Sequence, residues 1–312
     1  MTPNSGPTAS AKAKTAKSSS ARGSNAQEDA THIVIAGNVV EDRTAEGGLA
    51  PGGPALYAAR MAAALGARVT LLSGPVEARC RPALEGISLT EVPRRGRRAM
   101  PLYVNSYAAG GARSQQLLAD GGRIAIGAGL ARAAETPIDV LLYAPAYHEL
   151  SRPALAARAR LTGTSLQGLL RVRGRENSVV AHPAPWLQAR PFVFASGFVF
   201  LSEEDTPDAP RLARAAAAEG AVAFVTRAAS GAVRYSRTES QTLDALPASP
   251  VDPTGAGDCF AAAFMVRMAE TGDVDEATSF ALAAGALATE GHGLAAVPGR
   301  AAIEARVAKA AR

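Results

Sequence analysis

Residues 252–258, which read DPTGAGD, constrain this chain more than any other segment because they lead directly into the apolar residues 259–268. Gly255 and Gly257 lack a Cβ atom, so the backbone N–H groups of such a turn can approach an anion closely. A helix that follows the turn directs its unpaired N–H groups the same way. The segment therefore predicts an anion-binding turn at the start of a helix.

Asp258 falls in the first turn of that helix, where its carboxylate would stand beside the anion and accept a proton from an attacking hydroxyl. Gly272 is a stop signal for the helix. Four large apolar residues recur at helical spacing on one face: Phe260, Phe264, Met265 and Met268. Two interpretations stay open at this point, a phosphoryl-transfer site and a tight packing turn whose aspartate complements the helix dipole.

The composition narrows the class of protein. A chain of 312 residues with 47% hydrophobic residues is long enough to bury one large core. It contains no run of about 18 uncharged apolar residues, so we expect no membrane span and no membrane partner. Cys80 and Cys259 are too few for a disulfide framework or a cysteine-rich metal site, which fits a cytoplasmic protein.

Residues 1–31 are rich in Ala, Ser, Lys, Thr and Asn and contain no Leu, Ile, Val or Phe. Such a segment can neither pack nor form an amphipathic face, so we predict a disordered tail. It lacks the apolar stretch of a secretory signal. Residues 32–312 are predicted to form a single domain.

The chain is basic, with a formal net charge of +5 and a pI near 9.5. The densest cluster comprises Arg94, Arg95, Arg97 and Arg98. No RNP-like or helix-turn-helix pattern accompanies it, so we expect a solvated basic loop and no specific nucleic-acid partner.

Strand and helix patterns alternate along the chain, which predicts a doubly wound α/β sheet. Residues 89–126 differ, because short alternating runs and a Gly110–Gly111 turn predict an extended hairpin inserted into that order. The predicted strands are residues 33–36, 68–72, 140–144, 165–169, 192–200 in one or two pieces, and 221–226. The predicted helices are residues 56–65, 153–159, 210–219 and 275–290.

Gly127 and Gly129, in the segment IAIGAGLA, imitate part of a dinucleotide-binding fingerprint. The third glycine position is Arg132, and no convincing acidic residue follows at a strand end about 20 positions on. We therefore interpret this segment as a turn that opens a helix.

A glycine pair lies far upstream of DPTGAGD. Gly52 and Gly53 are followed by Ala58, Ala59, Leu65 and Gly66. The order, separation and flanks of the two motifs resemble those of the PfkB, or ribokinase-like, carbohydrate kinases over roughly residues 32–305. The resemblance implies a ribokinase-like α/β/α sandwich with a mostly parallel central sheet and a small β lid, here residues 39–50 and 89–118.

The resemblance also implies catalytic roles. Asp258 would be the catalytic base, and the backbone of Gly255, Ala256 and Gly257 would form the anion hole for the transferred phosphoryl group. Asp252 and Thr254 would shape the loop and its cation environment. The implied cofactors are ATP and Mg2+, and dependence on a monovalent cation stays open.

Further residues would bind the nucleotide and the metal. The segment VTRAASG matches a family turn at which Thr226, Arg227 and Gly231 would border ATP, although Ala228 replaces its first glycine. Ala284 and Gly291 would line the adenine pocket. Asp205, in FLSEED, falls where the family has an N-x-x-E motif and would hold a metal-bound water.

On the acceptor side, Tyr57 stands where many members of the family carry an asparagine that contacts a sugar. Arg171 occupies the same predicted strand end as Gln167, which faces the site in relatives. The full set of residues implied to bind the acceptor is Asp42, Gly52, Gly53, Tyr57, Asn105, Arg113 and Gln167.

The leading hypothesis is an ATP-dependent phosphotransferase that acts on a hydroxyl of a sugar or polyol. A nucleoside or inositol acceptor is the alternative within that class, because Tyr57 favours a substrate that can stack or pack. An alternative of another class is a catalytically weak ligand-binding member, which the altered S-x-x-D segment, Tyr57 and Ala228 motivate. Because lids of this fold sometimes pair between subunits, a homodimer stays open.

Overall fold

Short apolar segments form the centre of the molecule. The computed structural model describes Met1 and residues 30–44, 47–96, 99–107, 113–154 and 159–311. The residues from Thr31 onward form one compact unit. The tail predicted for residues 1–31 lies almost entirely outside the described residues. Among the described helices, none has the length and apolar character needed to cross a membrane.

The strands of the described residues fall into one large and three small sheets. In chain order they are β1 (His32–Ala36), β2 (Val40–Arg43), β3 (Leu49–Gly52), β4 (Arg68–Ser73), β5 (Ser88–Glu91), β6 (Arg94–Arg95), β7 (Leu102–Tyr107), β8 (Arg113–Ala119), β9 (Arg123–Ile124), β10 (Ile138–Tyr143), β11 (Ala159–Ser165), β12 (Arg171–Arg173), β13 (Val179–Ala181), β14 (Phe198–Ser202), β15 (Val222–Thr226), β16 (Ala232–Tyr235) and β17 (Ser240–Leu243).

The helices of the same residues flank the large sheet, and the last of them packs on the helix before it. They are α1 (Pro54–Ala64), α2 (Gly127–Ala133), α3 (Pro185–Val193), α4 (Ala209–Ala218), α5 (Ala256–Thr271), α6 (Val274–Ala288) and α7 (Arg300–Ala310).

The large sheet has nine strands in the order β17-β16-β15-β14-β11-β10-β1-β4-β5. Its pairs are parallel from β15 through to β5, and antiparallel pairing joins β16 and β17 at one edge. Central strands of a parallel sheet are covered on both faces, which is why β1 reads as a continuous buried run. The predicted α/β fold with a mostly parallel sheet is confirmed.

Successive residues of β1 point into two separate cores. Ile33 and Ile35 belong to the core that α1, α5 and α6 cover, and Val34 and Ala36 belong to the core under α2, α3 and α4. This alternation follows from the two-residue period of a strand. It gives the three layers of an α/β/α sandwich.

A small four-stranded sheet, in the order β3-β2-β7-β8, forms from the two segments predicted as the lid and extends beyond them to Gly52 and Ala119. Tyr103 and Leu117 are buried between it and the loop at Ala146. A hairpin of β12 and β13 lies against the small sheet, with an isolated bridge between Gln116 and Ser178. The small sheet is therefore held at the edge of the main body.

Two details of the prediction were wrong. Residues 165–169 are not a strand, because β11 ends at Ser165 and a short 3-10 turn, Gln167–Leu169, follows. Phe192 lies in helix α3, which begins at Pro185, and the next strand begins only at Phe198. A short apolar run does not distinguish a buried helix from a strand, which explains this error.

Two further predictions differ in part. The predicted extended region starts inside the main sheet, because residues 88–91 form its edge strand β5. Within the predicted helix 153–159, residues 155–158 lie outside the described residues, and Ala159 begins β11. The helix predicted after Gly127 is confirmed as α2.

An aromatic cluster on α5 supports the sheet. The Phe264 ring centroid lies 4.8 Å from that of Phe224, 5.0 Å from that of Phe198 and 5.6 Å from that of Phe200. We predict that Phe264→Ala lowers the free energy of unfolding by about 3–5 kcal/mol, because it leaves a cavity in a fully buried cluster. Chemical denaturation measures the change.

Leu187→Ala is the matched control, because Leu187 is 67% exposed and its removal should cost less than about 0.5 kcal/mol. Equal losses of stability in the two variants would contradict this description of the core.

Candidate active site

A cavity of about 640 Å³ lies at the carboxyl ends of the parallel strands. Ser165, Ser202 and Thr226, the last residues of β11, β14 and β15, line it. Ligands of open α/β sheets bind at this edge, because the loops that follow the strands converge there. The cavity also reaches the small sheet, through Asp42 and Gln115.

Asp42 is held in the small sheet by a chain of amide groups. The Asn105 Nδ2 atom donates to Asp42 Oδ1 over 2.9 Å, and Gln115 Nε2 donates to Asn105 Oδ1 over 2.6 Å. Asp42 and Gln115 line the cavity, whereas Asn105 lies behind them. The network fixes a carboxylate and an amide at one wall, a pairing suited to hydrogen bonds with hydroxyl groups.

The glycine pair leaves room for that wall. A Cβ atom on Gly52 would overlap Asp42 Oδ2, so glycine is needed where β3 passes the carboxylate. Gly53 lines the cavity with φ +93°, a conformation that favours glycine, and it caps α1. Gly52 thus leaves space for the Asp42 carboxylate without lining the cavity, whereas Gly53 forms part of the cavity wall.

The turn before α5 has the geometry that the sequence predicts. Gly255 is the N-cap residue, with the left-handed φ of +79°. The Ala256 N–H donates to the Pro253 carbonyl over 3.2 Å, so this amide belongs to the turn and not to the expected three-amide cradle. Gly255 and Gly257 line the cavity at the positive end of the α5 dipole.

Asp252 stabilises the turn from behind. Its Oδ1 atom accepts the Thr254 N–H over 2.9 Å, and its Oδ2 atom accepts the Gly293 N–H over 3.2 Å. Thr254 lines the cavity and Asp252 does not. The carboxylate therefore ties the turn to the segment after α6.

Tyr57 packs directly on this turn. A Cβ atom on Gly255 would overlap the Tyr57 ring, and one on Gly293 would lie 3.8 Å from its hydroxyl. Burial raises the pKa of the Tyr57 phenol, and the charges of Asp252, Asp42 and Asp258 raise it further. The phenol therefore stays protonated on the cavity wall.

Asp258 lies in the first turn of α5 and lines the cavity next to Gly257. Its neighbour Cys259 is fully buried, and burial raises the pKa of that thiol. A protonated buried thiol packs and does not attack, and Asp258 is the neighbour that faces the cavity.

Asp205 follows β14 and lines the cavity. Its Oδ2 atom accepts the Ser202 N–H over 2.8 Å, and its Oδ1 atom lies 3.9 Å from an Arg171 nitrogen. Glu204 lines the same wall. No group of three or more His, Cys, Asp or Glu side chains that could hold a metal occurs in the described part of the chain.

Arg171 enters the cavity from the start of β12. Its side chain is 10% exposed and interacts with the Tyr103 hydroxyl, which also donates to the Ala146 carbonyl over 2.9 Å. Burial raises the pKa of Tyr103, and Arg171 opposes that rise. Gln167 lines the cavity just before this arginine.

The far end of the cavity is apolar. Thr226 and Gly231 lie on its wall, but Arg227 does not, and its Nη2 atom donates to the Ser230 carbonyl over 3.0 Å. Ala228 takes a left-handed φ of 46°, so the turn keeps a glycine-like conformation. The wall is completed by Ala245, Leu246, Pro247, Ala248, Leu282, Gly285, Ala286 and Thr289.

Two expected residues of this end lie elsewhere. Ala284 is fully buried in the core, and the residues of α6 on the wall are Leu282, Gly285 and Ala286. Gly291 faces Ala296. Within one turn of α6, some residues face the core and others face the cavity. Composition alone does not tell the two kinds of position apart.

Sequence reasoning missed several wall residues. Tyr103, Gln115 and Ser165 line the cavity, as does the segment 245–248. Gln115 follows the predicted turn of the small sheet, which is the one signal that pointed to it. The predicted Arg113 pairs with Tyr107 in the backbone, and its side chain lies outside the described residues.

Known proteins share both the carboxyl-terminal sequence and the fold. Residues 195–299 match the model of the pfkB family carbohydrate kinases. A ribokinase of Bacillus subtilis (strain 168) is 46% identical over 65 residues, a match that spans 20% of this chain and only 22% of that enzyme.

Solved structures resemble most of the chain. A pyrophosphate-dependent kinase of the ribokinase family superposes with a TM-score of 0.68 at 19% identity, over 88% of this chain and 99% of that one. The Thermotoga maritima ribokinase superposes with a TM-score of 0.62 at 16% identity, over 89% of this chain and 99% of that one. The Methanocaldococcus jannaschii nucleoside kinase superposes with a TM-score of 0.62 at 16% identity, over 89% of this chain and 98% of that one.

The resemblance to the PfkB, or ribokinase-like, carbohydrate kinases is thus confirmed. The likeness to solved structures establishes the ribokinase fold, and the family match covers the segment that contains the glycine turn before α5 and Asp258.

The contact between Tyr57 and Gly255 yields a prediction. Gly255→Ala forces an alanine into the left-handed region, which costs about 1–2 kcal/mol of stability. Its Cβ atom would also overlap the Tyr57 ring. Tyr57→Ala removes a buried ring at about 3–5 kcal/mol. Because Tyr57→Ala relieves the overlap, the double variant should lose at least about 1 kcal/mol less than the two single losses added together.

Denaturant unfolding of the four proteins measures this coupling. Gly127→Ala is the control, because a Cβ atom there meets open space. Strict additivity of Gly255→Ala and Tyr57→Ala would show that the ring and the turn are not in contact.

Proposed function

We propose that the chain is a kinase that transfers the γ-phosphoryl group of ATP to a hydroxyl of a sugar, a polyol or a similar small molecule. One observation carries the proposal: a single cavity joins the polar wall at Asp42 to the apolar end beyond Thr226, with Asp258 and the Gly255–Gly257 turn lining it. Two substrates bound at the two ends would meet at Asp258.

The transfer step follows from this arrangement. Asp258 accepts the proton of the acceptor hydroxyl, and the hydroxyl oxygen forms a bond to the γ-phosphorus as the bond to the β,γ-bridging oxygen breaks. The products are a phosphate ester and ADP. The Gly255 and Gly257 amides donate to the phosphoryl oxygens, and such donors strengthen as charge develops in the transition state.

The apolar end supports ATP as the donor. Its wall is built of small and apolar residues such as Ala228, Leu246 and Ala286, which would pack against a purine ring. Pyrophosphate, the donor of one structural relative, has no ring to bury and carries several negative charges. An apolar wall would offer pyrophosphate few favourable contacts.

Mg2+ fits the same cavity without a protein cage. This ion is usually bound by one or two carboxylates together with substrate phosphates, and it neutralises the charge that develops on them. Asp205 and Glu204 on the wall would supply the carboxylates. The small sheet, which supplies Asp42 and Gln115, would be the lid that excludes water.

Asp258→Asn tests the base. The variant keeps the shape of the side chain but cannot accept the proton, so we expect kcat to fall by about 10²–10⁴-fold with an unchanged melting temperature. A coupled assay for ADP formation with a panel of sugars, polyols and nucleosides gives the rate.

Asp208→Asn is the matched control, because Asp208 is exposed and lies outside the cavity. A folded Asp258→Asn enzyme with full activity would exclude the mechanism. If the wild-type chain consumed no ATP with any acceptor yet bound one tightly, it would be a ligand-binding protein.

Ala286→Phe tests the donor. The larger side chain would fill part of the apolar end, so we expect the KM for ATP to rise at least about tenfold while the KM for the acceptor stays unchanged. Ala302→Phe, on the exposed side of α7, is the control.

If pyrophosphate supports turnover that Ala286→Phe leaves intact, and ATP does not, the donor assignment is wrong. Steady-state kinetics with each donor separates the two cases.

A further inference from the structure

Arg171 places a buried positive charge in the cavity that the proposed transfer step does not use. It is the one basic side chain among the described residues that line the cavity. Its carboxylate partner, Asp205, lies 3.9 Å away, and that carboxylate also accepts the Ser202 N–H. A buried charge needs close and well-oriented counter-charges, and this pair is at the limit of an ion pair.

The guanidinium lies towards the acceptor end. It interacts with the hydroxyl of Tyr103, and Tyr103 pairs in register with Asp42 across β7 and β2. The apolar donor wall is built instead by α6 and residues 245–248. An anion that contacts Arg171 from within the cavity would therefore lie near the group that binds Asp42.

Arg171 is held in a rigid setting. Its carbonyl accepts from His148 Nε2 over 2.6 Å, and the Arg173 N–H two residues on donates to the Tyr147 hydroxyl over 2.9 Å. The Arg173 Nη2 atom donates to the Leu118 carbonyl in the small sheet over 3.3 Å. The hairpin thus fixes Arg171 between the small sheet and the body, which favours binding by reducing the entropy lost.

We propose that Arg171 binds an anionic group of the acceptor, a carboxylate or a phosphate monoester, so that the substrates are acidic or phosphorylated sugars and polyols. The inference rests on the proposed function and specifies its substrate class. A planar guanidinium matches both groups in a bidentate arrangement. Asp42 and Asp258 repel an anion, so the charged end of the acceptor points to Arg171 and a hydroxyl is left for Asp258.

Two measurements test the inference. The first is kcat/KM with ATP for sugar acids, sugar phosphates and neutral sugars of the same stereochemistry. The second is the rise in melting temperature that the same compounds cause without ATP. The proteins are the wild type, Arg171→Gln, Arg171→Lys and the control Arg175→Gln, which alters an exposed arginine of the same hairpin outside the cavity.

We expect the wild type to prefer an anionic acceptor, and Arg171→Gln to lower kcat/KM for it about 10- to 100-fold, as expected for a lost bond to a charged group. Neutral acceptors should change less than about threefold. Arg171→Lys should restore part of the activity, because it keeps the charge and loses the bidentate geometry. The sugar-acid and sugar-phosphate arms identify which anion is bound.

Equal losses for anionic and neutral acceptors would overturn the inference, because Arg171 would then act on the transferred phosphoryl group. A wild type that phosphorylates neutral acceptors best would overturn it too and would leave the proposed function standing. If ATP is never consumed, the proposed function fails, and the melting measurement still decides whether Arg171 binds an anion.

Discussion

The contact between the Tyr57 ring and the backbone of Gly255 joins the two sequence motifs of this chain. A side chain on Gly255 would overlap the ring, and the left-handed φ of this residue excludes most other residue types. With Tyr57 packed beside it, position 255 therefore has to be glycine. Gly255 is also the N-cap of α5, and Asp258 lies in the first turn of that helix, so the contact and the carboxylate belong to the same end of α5.

The cavity is polar at one end and apolar at the other. Asp42, with the amides that hold it, faces the polar end, and Arg171 adds a single positive charge to the cavity wall. The apolar end is lined by alanine, leucine and proline side chains. Under the proposed function this asymmetry would orient two different substrates in one cavity, because each end would bind poorly what the other end binds well.

Much of the fold could be predicted because its signals are local. The buried run of β1 and the glycine turn before α5 each follow from a few adjacent residues. The strand predicted at residues 165–169 failed because apolar content alone does not separate a strand from a 3-10 turn. The prediction that Ala284 lines the adenine pocket failed because the side of α6 that faces the core depends on the rotation of this helix against its neighbours.

The site was predictable where a motif contains its own geometry, as at Asp258. It was not predictable where distant segments meet, as in the bonds that link Gln115 to Asn105 and Asn105 to Asp42. The resemblance to the family pointed to Arg171 near the site, but not to its contact with Tyr103. Its place beside Tyr103 depends on the hairpin of β12 and β13, which has no local signature linking it to the small sheet.

The most direct test of the central claim follows the γ-phosphorus itself. Wild-type protein is incubated with [γ-³²P]ATP, Mg2+ and a mixture of neutral, acidic and phosphorylated sugars and polyols with nucleosides, and the products are separated. We expect the label in an acid-stable phosphate ester, formed one for one with ADP. Label that stays in ATP, or that appears only as inorganic phosphate, would contradict a transfer site at Asp258.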